Sequence, residues 1–389
     1  MSEALISPCV VDWAMQRGRR DSADVAGKVG VTVEKVESWS NGTAKPTFRQ
    51  AQDLARVLRI PFGFLFLSKP PEESLAIPDL RTMRSEQTSW LSLDFRDVLS
   101  DVLRKQEWYR DFRLEQGFEQ LVFVGKFKQS SSASDVASDM AKELGLTLAD
   151  RDHVRQSDEF LNLLVKKAED LGICVMRSSM VGNDSHRGLD LDEFRGFVVC
   201  DNIAPMVFIN SSDARAAQVF TLAHELAHLW IGESGISNLS IEQSSRSIHN
   251  HVERLCNAIA AEVLVPKEAL LQKWHMGESL SVNADALAGY FRVSTVVIGR
   301  RAYDLNLIAQ SDYVDFYQQQ SKLWVKPTQR KESRPDFYRT LIPMRNGKRF
   351  TVSVVHSVLE NHLLLRDAGA LLGVHPSTVS QLAQKLGTG

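Results

Sequence analysis

Apolar residues recur at helical spacing along most of the chain and run continuously over only a few short stretches. Residues 8–67 read as five short helices: Pro8–Arg17, Asp21–Val29, Val33–Ser40, a fourth opened by Pro46-Thr47 and running to Leu58, and a fifth from Pro61 to Leu67. Gly30 and Asn41-Gly42 punctuate them. Asp94–Gln116 has no helix breaker and carries Leu99, Val102, Leu103, Trp108 and Phe112 at helical spacing, so it predicts one long helix. Asp135–Leu144 and Asp158–Leu171 are helical, each stopped by a glycine. The apolar runs Ile173–Arg177, Gly196–Cys200 and Met206–Asn210 predict strands. The third of these offers an edge on which an extended peptide could pair. Helices are predicted again over Asp213–Ile231, from His251 to a stop at Pro266, and over Lys267–Trp274, Asn283–Phe291, Val296–Leu305 and Tyr313–Leu323. Near the end, Leu341–Met344 and Arg349–Val354 flank Asn346-Gly347 like a hairpin, followed by helices Asp367–Leu372 and Pro376–Leu386.

The pattern implies a mainly α protein with a small mixed β-sheet. Its expected parts are an N-terminal five-helix domain (1–68), a helical linker region (69–154), an α+β domain (155–324) and a small C-terminal α/β module (325–389). The proline-containing stretches Ser68–Asp79 and Val325–Pro335 are the expected linkers.

Asp213–Ile231 is apolar on nearly every side, which predicts a buried helix. Ser211, Ser212 and Asp213 offer capping oxygens and Gly232 ends it. Within it lies His224-Glu225-Leu226-Ala227-His228, an H-E-x-x-H sequence. Histidines four apart share a helix face and can aim at one metal ion. Glu225 lies about 100° round the helix from His224, beside such an ion, where a general base for the attacking water belongs. A catalytic zinc takes three protein ligands. Glu253 on the next helix is the expected third, with Asn257 four residues on as its orienting neighbour; His249, His251 and Glu262 are rivals. His249, His251 and Tyr290 are candidates for stabilising an oxyanion.

The segment Phe220–His228 followed by Val252–Pro266 resembles the ImmA/IrrE metallopeptidases, bacterial and phage regulatory zinc proteases whose substrates are helix-turn-helix repressors. The resemblance covers residues 155–310. It implies a zincin-like fold, zinc held by His224, His228 and Glu253, and Glu225 as catalytic base. At the N-terminus, the pattern Ala26-x3-Gly30-Val31-Thr32-x3-Val36-x2-Trp39-x2-Gly42 resembles the helix-turn-helix of Xre and lambda-repressor proteins. That resemblance makes Thr32, Glu34, Lys35, Ser38, Lys45 and Arg49 candidate DNA contacts, although Glu34 and Glu37 oppose phosphates.

Charge sharpens this picture. Residues 1–70 hold ten Lys/Arg against seven Asp/Glu, and residues 325–389 hold ten against four, while the whole chain is at −2. The ends suit a polyanion and the middle does not. No run of 18 apolar residues suggests a membrane span, the N-terminus lacks the pattern of a signal peptide, and the four cysteines form no C-x-x-C. These features predict reduced thiols in a cytoplasmic protein. The expected function is a regulatory zinc metalloendopeptidase acting on a protein partner, a repressor or antitoxin, in a stress or defence response. The alternative is a DNA-binding repressor or antitoxin whose peptidase-like domain senses or grips a partner. A homodimer is the expected assembly, since such regulators span two half-sites.

Overall fold

A computed structural model describes residues 3–18, 20–71, 91–237, 248–323 and 340–386. They form two units divided at residue 98. Among them no helix is long and apolar enough to cross a membrane.

The first unit contains α1 (Pro8–Arg17), α2 (Ser22–Val29), α3 (Val33–Ser40) and α4 (Phe48–Leu58), then a 3₁₀ turn at Phe62–Phe66. Its core is Val10, Val11, Ala14, Val25, Val36, Trp39, Leu54, Leu58 and Leu65. Gly30 takes the left-handed conformation (φ 77°), and its N–H bonds the Ala26 carbonyl, which closes α2 before the turn into α3. Thr47 and Gln50 form a reciprocal capping box at the start of α4. The predicted fifth helix is this 3₁₀ turn, introduced by Pro61.

The long helix α5 (Leu93–Glu115) begins in the first unit and continues in the second. After it come α6 (Ala133–Glu143), α7 (Ser157–Asp170), β1 (Cys174–Ser178), β2 (Gly196–Val199), β3 (Met206–Asn210), α8 (Arg215–Ile231) and β4 (Gly235–Ser237). Six helices follow before residue 347: α9 (Ile248–Leu264), α10 (Lys267–Lys273), α11 (Leu280–Phe291), α12 (Thr295–Asp304), α13 (Gln310–Leu323) and α14 (Ile342–Asn346). The described chain ends with α15 (Lys348–Leu359), α16 (Leu365–Leu372) and α17 (Pro376–Leu386).

The sheet order is β1-β3-β2-β4. β1 and β3 run parallel, with Val175 opposite Val207; β2 is antiparallel to both β3 and β4. The strand preceding α8 is therefore central. β3 is buried at every position and both its edges are paired, so it cannot take a peptide strand as expected. Among the described residues the sheet edges are β1 and β4, and β4 was not foreseen, because Gly-Ile-Ser carries no period to read.

The expected C-terminal hairpin is absent. Residues 342–346 and 348–359 are helices, so the described part of this segment is all-α and not α/β. Phe350, Val354 and Val355 are buried on one helical face, whereas Val352 is exposed. Gly347 (φ 79°) joins the two helices tightly against β1, where an added Cβ would overlap the Cys174 sulfur. Lys105 Nζ donates to Asn346 Oδ1 at 2.7 Å, and the Lys348 N–H donates to Glu169 Oε1 at 2.7 Å. The linker 325–335 and most of 68–79 lie outside the described residues.

A candidate metal centre

Helix α8 forms because nothing between residues 215 and 231 interrupts it, and burial of every residue from Thr221 to Ile231 holds it. Its start differs from expectation. Ala214 is the N-cap and no side chain caps it. Asp213 pairs with Arg195 instead, and Gln218 Nε2 reaches back to the Asp213 carbonyl at 2.7 Å. At the other end Gly232 (φ 80°) returns its N–H to the His228 carbonyl at 2.8 Å. The segment around Gly125, unassigned from sequence, covers this end. Its N–H donates to the Leu229 carbonyl at 2.8 Å, and Phe123 stacks on Trp230 with centroids 4.5 Å apart.

α9 packs alongside α8, with Cys256, Ile259 and Ala260 of α9 buried in the same core as Ala223, Leu226 and Ala227 of α8. This brings three donors together. His224 Nε2 lies 3.1 Å from His228 Nε2 and 3.2 Å from Glu253 Oε2, and His228 Nε2 lies 3.3 Å from Glu253 Oε1. Both imidazoles are fully buried. Two bonds of about 2.0–2.1 Å opened at a tetrahedral angle set their ends about 3.3 Å apart. The triad fits that spacing, and two neutral imidazoles with one carboxylate are a donor set that zinc favours. The Asn257 side chain acts on His224 in the direction that favours its protonated ring.

The rivals sit elsewhere. His251 is exposed. Glu262 pairs with Arg301 and accepts from the Lys267 N–H at 3.0 Å. The His249 side chain lies outside the described residues. Tyr290 lies under Lys273, whose Nζ is 4.1 Å from its ring centroid. In the first unit, Thr32, Glu34, Lys35, Lys45 and Arg49 are exposed; Ser38 is half-buried, its hydroxyl donating to the Lys35 carbonyl at 2.7 Å.

Burial pushes the His224 imidazole down, but the neighbouring Glu253 carboxylate outweighs it and leaves the pKa raised. Burial dominates at His228, aided by the charge on His224, and its pKa is lowered. Burial would raise Glu253, yet the two imidazoles hold it far below the usual carboxylate range. A metal ligand must be neutral imidazole, so protons compete from a higher pH at His224 than at a free histidine. Metal affinity is expected to fall as pH drops from about 8 to about 5, which a chelator-competition titration measures. The metal-free protein behaves oppositely. Its His224–Glu253 pairing contributes stability below the ordinary imidazole pKa and loses it as pH rises through the raised folded value.

Glu225 is fully buried, and its placement depends on a glycine that the sequence reading passed over. A Cβ on Gly196 of β2 would lie 2.8 Å from Glu225 Oε1, 2.9 Å from Thr221 Cγ2 and 3.1 Å from the Phe208 carbonyl. Glycine at the start of a strand is the available signal for such close approach. Gly196→Ala is expected to push the Glu225 carboxylate aside and reduce turnover by about 100-fold while bound metal stays unchanged, as metal analysis and rate measurement on one preparation would show.

Burial pushes the Cys200 thiol up to about 12 and Cys256 well above its ordinary value, which disfavours the thiolate at both.

No curated protein and no solved structure matches the chain. Residues 346–385 match a domain of unknown function, DUF8813. Residues 168–303, which carry α8 and Glu253, match the family model Peptidase_M78, the IrrE N-terminal-like domain.

Proposed function

We propose that the protein is a zinc-dependent regulatory metalloendopeptidase that cleaves a specific protein partner, a repressor or antitoxin. The observation that carries this reading is the convergence, within 3.1–3.3 Å, of His224 and His228 from the buried part of α8 with Glu253 from α9, on a helix that also holds the buried Glu225. The match of residues 168–303 to a peptidase family supports it. A zinc ion held by these three side chains would supply Lewis-acid chemistry, polarising the scissile carbonyl and acidifying water. Glu225 takes the proton of the attacking water and delivers it to the leaving amine. Asn257 acts on the His224 ring, and Gly196 keeps room for the Glu225 carboxylate.

The test compares new protein N-termini in cells expressing wild type or Glu225→Gln. One substrate cut only with wild type supports the proposal; identical termini in both, under every inducing condition tried, overturn it.

The first unit favours a second role beside the first. α2, a tight turn at Gly30 and α3 present Thr32, Glu34 and Lys35 to solvent, with Lys45 and Arg49 beyond. This surface is proposed to bind duplex DNA and to bring the peptidase to a DNA-bound partner. Selection from a random duplex pool with the full chain should enrich one sequence, and Arg49→Ala should weaken binding and reduce its salt dependence.

A further inference from the structure

Away from the metal site, the second unit contains a cavity of about 760 Å³ lined by α7, β1, the first turn of α8 and the helices α14 and α15. Ligand pockets commonly occupy about 300–1,000 Å³. Arg177 at the end of β1 and Arg215, the first residue of α8, both line it. Arg177 Nη2 donates to Asn162 Oδ1 at 3.0 Å, and Arg215 Nη1 donates to Gln218 Oε1 at 3.4 Å. Both acceptors are neutral amides. Among the described residues no carboxylate forms an ion pair with either guanidinium, and Arg177 Nε is buried without a hydrogen-bond partner. Burial, and then the charge of Arg215, lower Arg177 to about 10, with the Glu169 carboxylate offsetting only part of that.

The acids in the wall are engaged or offset. Glu169 accepts the Lys348 N–H at 2.7 Å, and burial raises its carboxyl. Asp170 pairs with Lys166 at 2.8 Å. Asp158 also lines the cavity, but so do Lys348 and Arg349, and Arg349 spends its hydrogen bonds on the Glu169 and Asp170 carbonyls. The balance of lining charge is positive. Much of the rest is apolar, including Leu161, Val165, Val175 and Met344.

We infer that this cavity is a binding site for a small phosphomonoester with an apolar or aromatic body. A dianionic phosphate answers two guanidinium forks, whereas a single carboxylate leaves one charge uncompensated. The apolar wall then takes the body of the ester. Arg215 opens the helix that carries His224 and His228, so ligand and metal would share one element; the inference itself does not depend on the peptidase reading.

Isothermal titration of the full chain with phenyl phosphate and with AMP tests this, using phenol, adenosine and inorganic phosphate as controls. At least one ester should bind saturably at one per chain, the uncharged controls should not bind, and inorganic phosphate should bind more weakly. Arg177→Gln and Arg215→Gln should each weaken ester binding at least about tenfold. Arg215 is exposed at the start of its helix, so Arg215→Gln keeps the fold and keeps the test decisive should Arg177→Gln not fold. The inference is overturned if neither ester binds up to about 10 mM, if Arg215→Gln binds as wild type does, or if inorganic phosphate binds as tightly as the esters.

Discussion

Glu225→Gln is expected to slow peptide cleavage by about three orders of magnitude while the protein keeps its fold and its metal. Glutamine matches glutamate in shape, so the pocket beside Gly196 accepts it. It cannot take up a proton, and general acid–base catalysis by a positioned carboxylate is worth about 10²–10⁴-fold. His224, His228 and Glu253 are untouched, so the metal stays. The measurement is single-turnover cleavage of the substrate that the N-terminal comparison identifies, with metal content determined on the same sample. A variant that cleaves at the wild-type rate would remove Glu225 from the mechanism and leave the site a structural or sensory one.

Glu253→Ala is expected to abolish metal retention. Disturbing the outer partners of a metal ligand costs about 10–100-fold in affinity, and losing the ligand itself costs more. Glu253 is also the only anion in the triad, touching both imidazoles. Metal at about a thousand times its dissociation constant adds roughly 4 kcal/mol to stability, of the order of 10 °C in melting temperature for a domain of this size. Chelator should therefore lower the melting temperature of wild type by about that amount and leave Glu253→Ala unchanged. Equal response to chelator in both would place the metal elsewhere.

Much of this site was legible in the sequence because its signals are local. An uninterrupted apolar run, a terminal glycine and two histidines at one helical spacing place the imidazoles on one face before any tertiary contact is known. Glu253 and Asn257 share a face in the same way, on a helix whose alanines allow close packing. The N-terminal helices were legible for a related reason: Gly30, Gly42, Pro46 and Pro61 mark their ends.

What was not legible depends on contacts between distant residues. Asp213 reads as a helix cap, but Arg195 claims its carboxylate. Asn346-Gly347 reads as a hairpin turn, and Phe350, Val352 and Val354 alternate like a strand; burial of Phe350, Val354 and Val355 within the second unit selects the helical period instead. The strand before α8 carries nothing in its sequence to say that it is central, since strand order is set by pairing with β1 and β2. The approach of Gly196 to Glu225 and the placement of Arg177 and Arg215 in one cavity wall join residues far apart in the chain, so no spacing announces them.

The central claim is that His224, His228 and Glu253 hold one zinc ion. Native mass spectrometry of the purified full chain beside His228→Ala tests it most directly. The account predicts one zinc per wild-type chain, shed when the pH is lowered through the imidazole range, and none on the variant. A wild-type chain without zinc after purification in its presence, or a variant that carries as much as wild type, would contradict it.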